Sequence, residues 1–163
     1  MQPALSPDGL WVVYVAHRGG KHGLRRISIE GGESIEITSE KSFWPAVSPN
    51  GRFIAFAQGG SNADPTRNVA VIPFNGRNAI KILDVSTRAV LYNRLGWSPD
   101  SKAIIYKDNI EGLWRHNLAG GSTAEIRAPE DFRIYHFAHS TDGQLVYSGG
   151  IPMREIVILE NFR

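Results

Sequence analysis

The sequence predicts an all-β fold made of four blade-sized repeats, and three observations predict it. A turn signature recurs four times at nearly regular spacing. Each copy is followed by short β-rich segments, and no stretch carries the apolar spacing of a helix. The copies are Ser6-Pro7-Asp8-Gly9, Ser48-Pro49-Asn50-Gly51, Ser98-Pro99-Asp100-Ser101 and Ser140-Thr141-Asp142-Gly143, with leading serines 42, 50 and 42 residues apart. A period of about 40–50 residues belongs to propeller blades or to helical solenoids. The residues between the signatures decide for strands.

A second strand is expected directly after each signature, at 10–16, 53–58, 103–107 and 145–148, followed by a third at 24–29, 69–74, 113–118 and 156–159. An aromatic stands eight residues after the serine in three repeats (Tyr14, Phe56, Tyr106) and seven after it in the fourth (Tyr147). Gly31-Gly32, Asn75-Gly76 and Gly120-Gly121 then supply the positive φ that tight hairpin turns need. Last strands at 34–38, 79–83 and 123–127 close three of the blades. The repeats fall at about 1–42, 43–90, 91–131 and 132–163, as one domain with four inner, four second, four third and three outer strands.

The signature has a mechanical explanation. Proline presets φ at the second turn position, and Asp or Asn hydrogen-bonds the nearby backbone. Glycine takes the left-handed position that follows, and the serine bonds back across the turn. Ser6, Asp8, Ser48, Asn50, Ser98, Asp100, Ser140 and Asp142 are therefore structural turn residues, although a serine beside an aspartate invites a catalytic reading. Ser101, where glycine is easiest, and Thr141, in place of proline, should give strained or looser turns.

Pro3-Ala4-Leu5-Ser6-Pro7-Asp8-Gly9 and Trp44-Pro45-Ala46-Val47-Ser48-Pro49-Asn50-Gly51 closely resemble the TolB-type, WD-like propeller repeat. Leu95-Gly96-Trp97-Ser98-Pro99-Asp100 resembles it well, and Phe137-Ala138-His139-Ser140-Thr141-Asp142-Gly143 more weakly. The resemblance spans the whole chain and implies a β-propeller of four-stranded antiparallel blades, with inner strands lining a channel. The tail Glu155-Ile156-Val157-Ile158-Leu159-Glu160-Asn161-Phe162-Arg163 is similar to the way such propellers end in bacterial multidomain regulators. The resemblance also implies a periplasmic or otherwise extracytoplasmic location and a protein- or peptide-binding use. Rings of this type usually have six or more blades, so four form an arc. Apolar blade faces at both ends lead to the expectation of a homodimer closing an eight-bladed ring, against a four-bladed ring or an excised half.

Composition removes other classes. The net charge of +2, from 18 Lys+Arg and 16 Asp+Glu, gives no clustered basic face for nucleic acid. Arg25-Arg26 is the only adjacent basic pair and is expected on a solvated strand face. Without cysteine there is no disulfide, zinc ribbon or thiol catalysis. The longest apolar run is too short to insert in a membrane. No Gly-x-Ser-x-Gly elbow, His-Glu-x-x-His motif, metal-binding loop or phosphate loop occurs, so no catalytic residue, metal site or cofactor is expected. His136 and His139 are three apart on a strand and so cannot chelate together. His17, His22 and His116 read as scattered.

The candidate binding residues lie four before each signature serine, at Gln2, Trp44, Arg94 and His136. Superposed repeats would put them around one channel mouth, flanked by Tyr92 and Tyr135, and aromatic and Arg residues dominate binding hot spots. For Trp44 the competing expectation is packing between blades. The loop 59–68 is a second candidate, or a functionless excursion. Three functions compete: a partner-binding platform within a larger bacterial protein, the substrate-gating propeller of a prolyl-oligopeptidase-like serine peptidase, and a propeller lyase or glycan-active enzyme with a channel metal.

Overall fold

The computed structural model describes residues 3–18, 21–59, 68–76, 80–83, 95–107, 112–127, 132–139 and 144–151. These residues form an all-β arc of consecutive meandering sheets. Blade 1 is built from β1 (Ala4–Leu5), β2 (Trp11–Arg18), β3 (Lys21–Ser28) and β4 (Ile35–Thr38). Blade 2 has β5 (Ser42–Val47), β6 (Phe53–Gln58), β7 (Asn68–Pro73) and β8 (Lys81–Leu83). Blade 3 has β9 (Leu95–Trp97), β10 (Ala103–Lys107), β11 (Leu113–Asn117) and β12 (Thr123–Ile126). In each, neighbours in sequence are antiparallel neighbours in the sheet. The fourth repeat contributes β13 (Arg133–His139) paired with β14 (Leu145–Gly150). The third strand expected at 156–159 lies outside the described residues, as do Ser140 and Asp142 of the fourth signature.

The blades stack by a strict alternation. Residues six and eight after a signature serine face the preceding blade, and those seven and nine after it face the following one. Ile54 and Phe56 of blade 2 accordingly pack with Val13, Val15, Leu24 and Ile37 of blade 1. Ala55 and Ala57, on the other face of blade 2, pack with Trp97, Ile104 and Tyr106 of blade 3. Ile105 and Leu113 meet Ile134 of the fourth repeat, with Leu145 alongside. The period-2 geometry of a strand makes each second strand apolar on both faces, which is why 53–57 and 103–106 are almost uniformly apolar.

Two large side chains, Trp97 and Arg26, are among the polar ties between blades. Trp97 donates its Nε1–H to the Ala46 carbonyl of the preceding inner strand, 2.9 Å away, and stacks on Phe53 with ring centroids 6.2 Å apart. Arg26 reaches from β3 into blade 2, where Nη1 donates to the Phe74 carbonyl at 3.0 Å. Its guanidinium lies 4.8 Å from the Trp11 ring centroid and 5.1 Å from that of Phe74. Arg25 donates to the Ser34 hydroxyl and carbonyl and pairs with Glu36 at 3.3 Å. The expectation of a solvated Arg25-Arg26 face is thus corrected: strand alternation sends Arg26 toward the next blade and Arg25 across to β4.

The three described signature turns share one set of hydrogen bonds. Ser6, Ser48 and Ser98 are buried, and their hydroxyls accept the backbone N–H of Trp11, Phe53 and Ala103, each at 2.9 Å. The same hydroxyls donate to Asp8, to Asn50 at 2.8 Å and to Asp100 at 2.5 Å. Both hydrogen-bonding roles of each hydroxyl are thus used within its own turn. The fourth turn position is left-handed in all three described copies, with φ of 73° at Gly9, 70° at Gly51 and 59° at Ser101. Ser101 keeps the strain expected of a non-glycine there. Its hydroxyl, however, accepts the backbone N–H of Asn50 at 3.1 Å, so the substitution bonds blade 3 to blade 2.

These turns make stability depend on pH. Hydrogen bonds from Ser6 and then the Leu10 N–H hold the Asp8 carboxyl below its usual range. Ser98 and then the Lys102 N–H do the same for Asp100. Burial, reinforced by the Lys81 charge, lowers His116. A depressed carboxylate contributes stability that is complete above the unfolded value of about 3.9 and is lost as pH falls through the folded value. The depressed His116 makes the unfolded chain bind protons first below about pH 6.5, so stability starts to fall there. Melting curves from pH 8 to pH 3 are expected to show a two-stage decline. His116→Gln should remove the upper stage, and Asp8→Asn with Asp100→Asn the lower one. Asn50 already fills the same role with an amide, so the turns should survive.

Candidate partner-binding end of the blades

The register puts Trp44, Tyr135 and His136 at one end of the arc. Ser42 pairs with Gln58, so each inner strand starts where the second strand ends, opposite the signature turns. On β5, Phe43 pairs with Ala57 and Ala46 with Ala55, leaving Trp44 and Pro45 opposite Phe56 alone. Proline, which has no N–H to give to a ladder, is tolerated at such a bulge. Trp44 has φ 48°, an outlier for a bulky side chain that costs about 1–3 kcal/mol. Its ring is half-buried, packed on the core shared by blades 2 and 3. The inter-blade packing weighed for this residue is therefore what the structure shows, with part of the ring still accessible.

The inner strand β13 bulges at the same level. Ile134 pairs with Gly149 and His136 with Ser148, so Tyr135 is the extra residue. A Cβ at position 149 would collide with the Arg133 carbonyl oxygen and the Phe132 ring, so the bulge requires glycine there. Tyr135 is 48% exposed, and His136 is exposed beside it. Bulges re-aim side chains and concentrate next to functional sites. Tyr92, Arg94, Gln2 and most of the loop 59–68 lie outside the described residues, so of the expected ring of mouth residues Trp44 and His136 are the two described.

The structure adds residues that the sequence reading left apart. His17 and His22 are direct cross-strand partners, with ring centroids 4.0 Å apart. His22 lies 5.8 Å from Phe43, and Phe43 lies 5.6 Å from Trp44. An aromatic row thus runs from the β2–β3 hairpin of blade 1 to the inner strand of blade 2. The reading of these histidines as scattered is corrected, and a signal for it existed: they stand symmetrically about Gly19-Gly20. At the opposite end, Ser98, Pro99, Asp100, Ile105, Arg115, Ile126 and Leu145 line an open cleft of about 390 Å³ between blade 3 and the fourth repeat. Among the described residues no three His, Cys, Asp or Glu side chains cluster as a metal site.

Stacked four-stranded meanders with inner strands set at one level define a β-propeller arc, and the comparisons agree. Its fold is that of the TolB-like propellers. The structure of TolB from Acinetobacter baumannii superposes with a TM-score of 0.72 at 19% identity, over 90% of this chain and 37% of that one. The β-propeller domain of the Trilobed protease from Pyrococcus furiosus gives 0.62 at 17% identity, over 98% of this chain and 50% of that one. In sequence, the chain is 25% identical over 111 residues to the uncharacterized protein Atu1656 of Agrobacterium fabrum, covering 64% of this chain and 38% of that protein. No family model matches. The chain spans half or less of the length of each of these proteins.

Proposed function

We propose that this chain is a non-catalytic, protein- or peptide-binding propeller scaffold that uses the end carrying Trp44, Tyr135 and His136, within a larger, extracytoplasmic bacterial protein. The observation that carries the reading is Trp44: a strained, half-exposed aromatic at a bulge, continuous with Phe43, His22 and His17. Strain kept at an accessible aromatic supports recognition, and aromatic anchors dominate binding hot spots. A second copy closing an eight-bladed ring belongs to the same proposal. Val12 and Tyr14 stand six and eight after Ser6, at the positions that Ile54 and Phe56 use against the preceding blade. In the fourth repeat, where the aromatic comes one residue earlier, at Tyr147, Val146 takes the place of Ala55 and Ile105, and it is 55% exposed where those two are covered by a following blade.

The likeness to a protease propeller domain supports a second reading, a gate over a peptidase domain, with no peptide affinity of its own at Trp44. The test is to pan displayed random peptides on the purified chain after light scattering. A mass near twice 18.0 kDa is expected; a monomer would overturn the two-chain ring. Selected peptides should lose about 30-fold or more in affinity on Trp44→Ala, the roughly 2 kcal/mol or more of a hot spot, and keep it on Arg115→Ala at the far end. Peptides insensitive to Trp44→Ala, or none selected, would count against the platform.

A further inference from the structure

We propose that His17 and His22 form a binding site for a divalent transition-metal ion, open to solvent at the same end of the arc as Trp44. The two residues are paired directly across β2 and β3, and their Nδ1 atoms are 3.3 Å apart. An ion at the usual zinc–imidazole distance of about 2.05 Å from both nitrogens subtends about 107° at the metal, close to the tetrahedral angle. The backbone thus already holds two donors at chelating separation, and binding needs no movement of the strands.

A neutral imidazole carries its N–H on one ring nitrogen only, so with that proton on Nε2 of each ring both Nδ1 lone pairs are free to coordinate. His17 is exposed and His22 half-buried, so the ion reaches the pair from solvent and keeps its remaining positions for water or for a donor from a bound partner. Imidazole ligands select Zn²⁺, Ni²⁺ and Cu²⁺ over Mg²⁺ and Ca²⁺, which take oxygen. Phe43, beside His22, makes the site continuous with the aromatic row. The metal site stands whether or not Trp44 proves to bind peptides.

The test is isothermal titration of ZnCl₂ and NiCl₂ into the tag-free chain, with MgCl₂ as control. One ion per chain is expected for zinc and nickel and none for magnesium. His17→Ala and His22→Ala should each weaken binding by at least the roughly 10- to 100-fold that even outer-shell changes cost a metal site. His116→Gln, at the buried histidine of blade 3, should leave it unchanged. Absence of zinc and nickel binding at millimolar ion, or an isotherm unaltered in the doubly substituted His17→Ala, His22→Ala chain, would overturn the proposal. Circular dichroism of that chain, expected to match the parent, separates loss of ligands from loss of fold.

Discussion

Trp97→Ala is expected to destabilise the arc by about 3–5 kcal/mol, the range for removing a buried tryptophan. Trp97 is 5% exposed and sits in the cluster joining blades 2 and 3. Its truncation leaves a cavity against Ala55, Ala57 and Val71, unstacks Phe53 and strands the Ala46 carbonyl on a bulged inner strand. Trp97→Phe refills much of the volume but cannot donate to Ala46, so about 1–2 kcal/mol of the loss should remain. Urea denaturation followed by circular dichroism measures both. If Trp97→Phe were as stable as the parent chain, the hydrogen bond would have no net value.

Arg26→Ala comes next, at about 2–3 kcal/mol, from a charged hydrogen bond and two cation–π contacts. Against this, Arg26 Nε is buried with no hydrogen-bond partner among the described residues, a desolvation cost that limits the net value. Arg26→Lys should recover less than half, because an ammonium cannot lie flat between Trp11 and Phe74 while donating to the Phe74 carbonyl. The loss should respond little to added salt, since the group lies between aromatic rings and is poorly screened. A loss that disappears in 0.5 M salt would instead place Arg26 among ordinary surface charges.

Most of the strand pattern was legible because strand and turn rules are local. β6 and β10 begin and end where alternation and the signature put them, at 53–58 and 103–107. Elsewhere the ends moved by one to three residues, as at β3, which starts at Lys21 and not at 24. There the hairpin ladder continues past the last apolar residue, because backbone pairing does not need apolar side chains. The left-handed φ at Ser101 followed from its place in the signature, but its bond to Asn50 did not, since that depends on how two blades dock.

The candidate site was less legible for the same reason. Four residues before a serine is a position in a repeat, and it located Trp44 and His136 on inner strands at one end. It could not show that Trp44 sits on a bulge with its ring on the next blade, nor that Tyr135 is the extra residue of β13. The solvated reading of Arg26 failed because charge alone does not reveal that an aromatic slot waits in the neighbouring blade.

The sequence by itself determined the repeat, the turn chemistry and the alternation, because proline and glycine dihedrals, serine and aspartate hydrogen bonds and the two-residue period of a strand act over a few neighbours. Only the tertiary structure decided which face each blade buries, the clamping of Arg26 and Trp97 across blades and the meeting of His17 with His22 and Phe43. Those depend on register and on packing between segments up to about fifty residues apart, as between Trp97 and Ala46, where contact is set by the geometry of the stacked sheets.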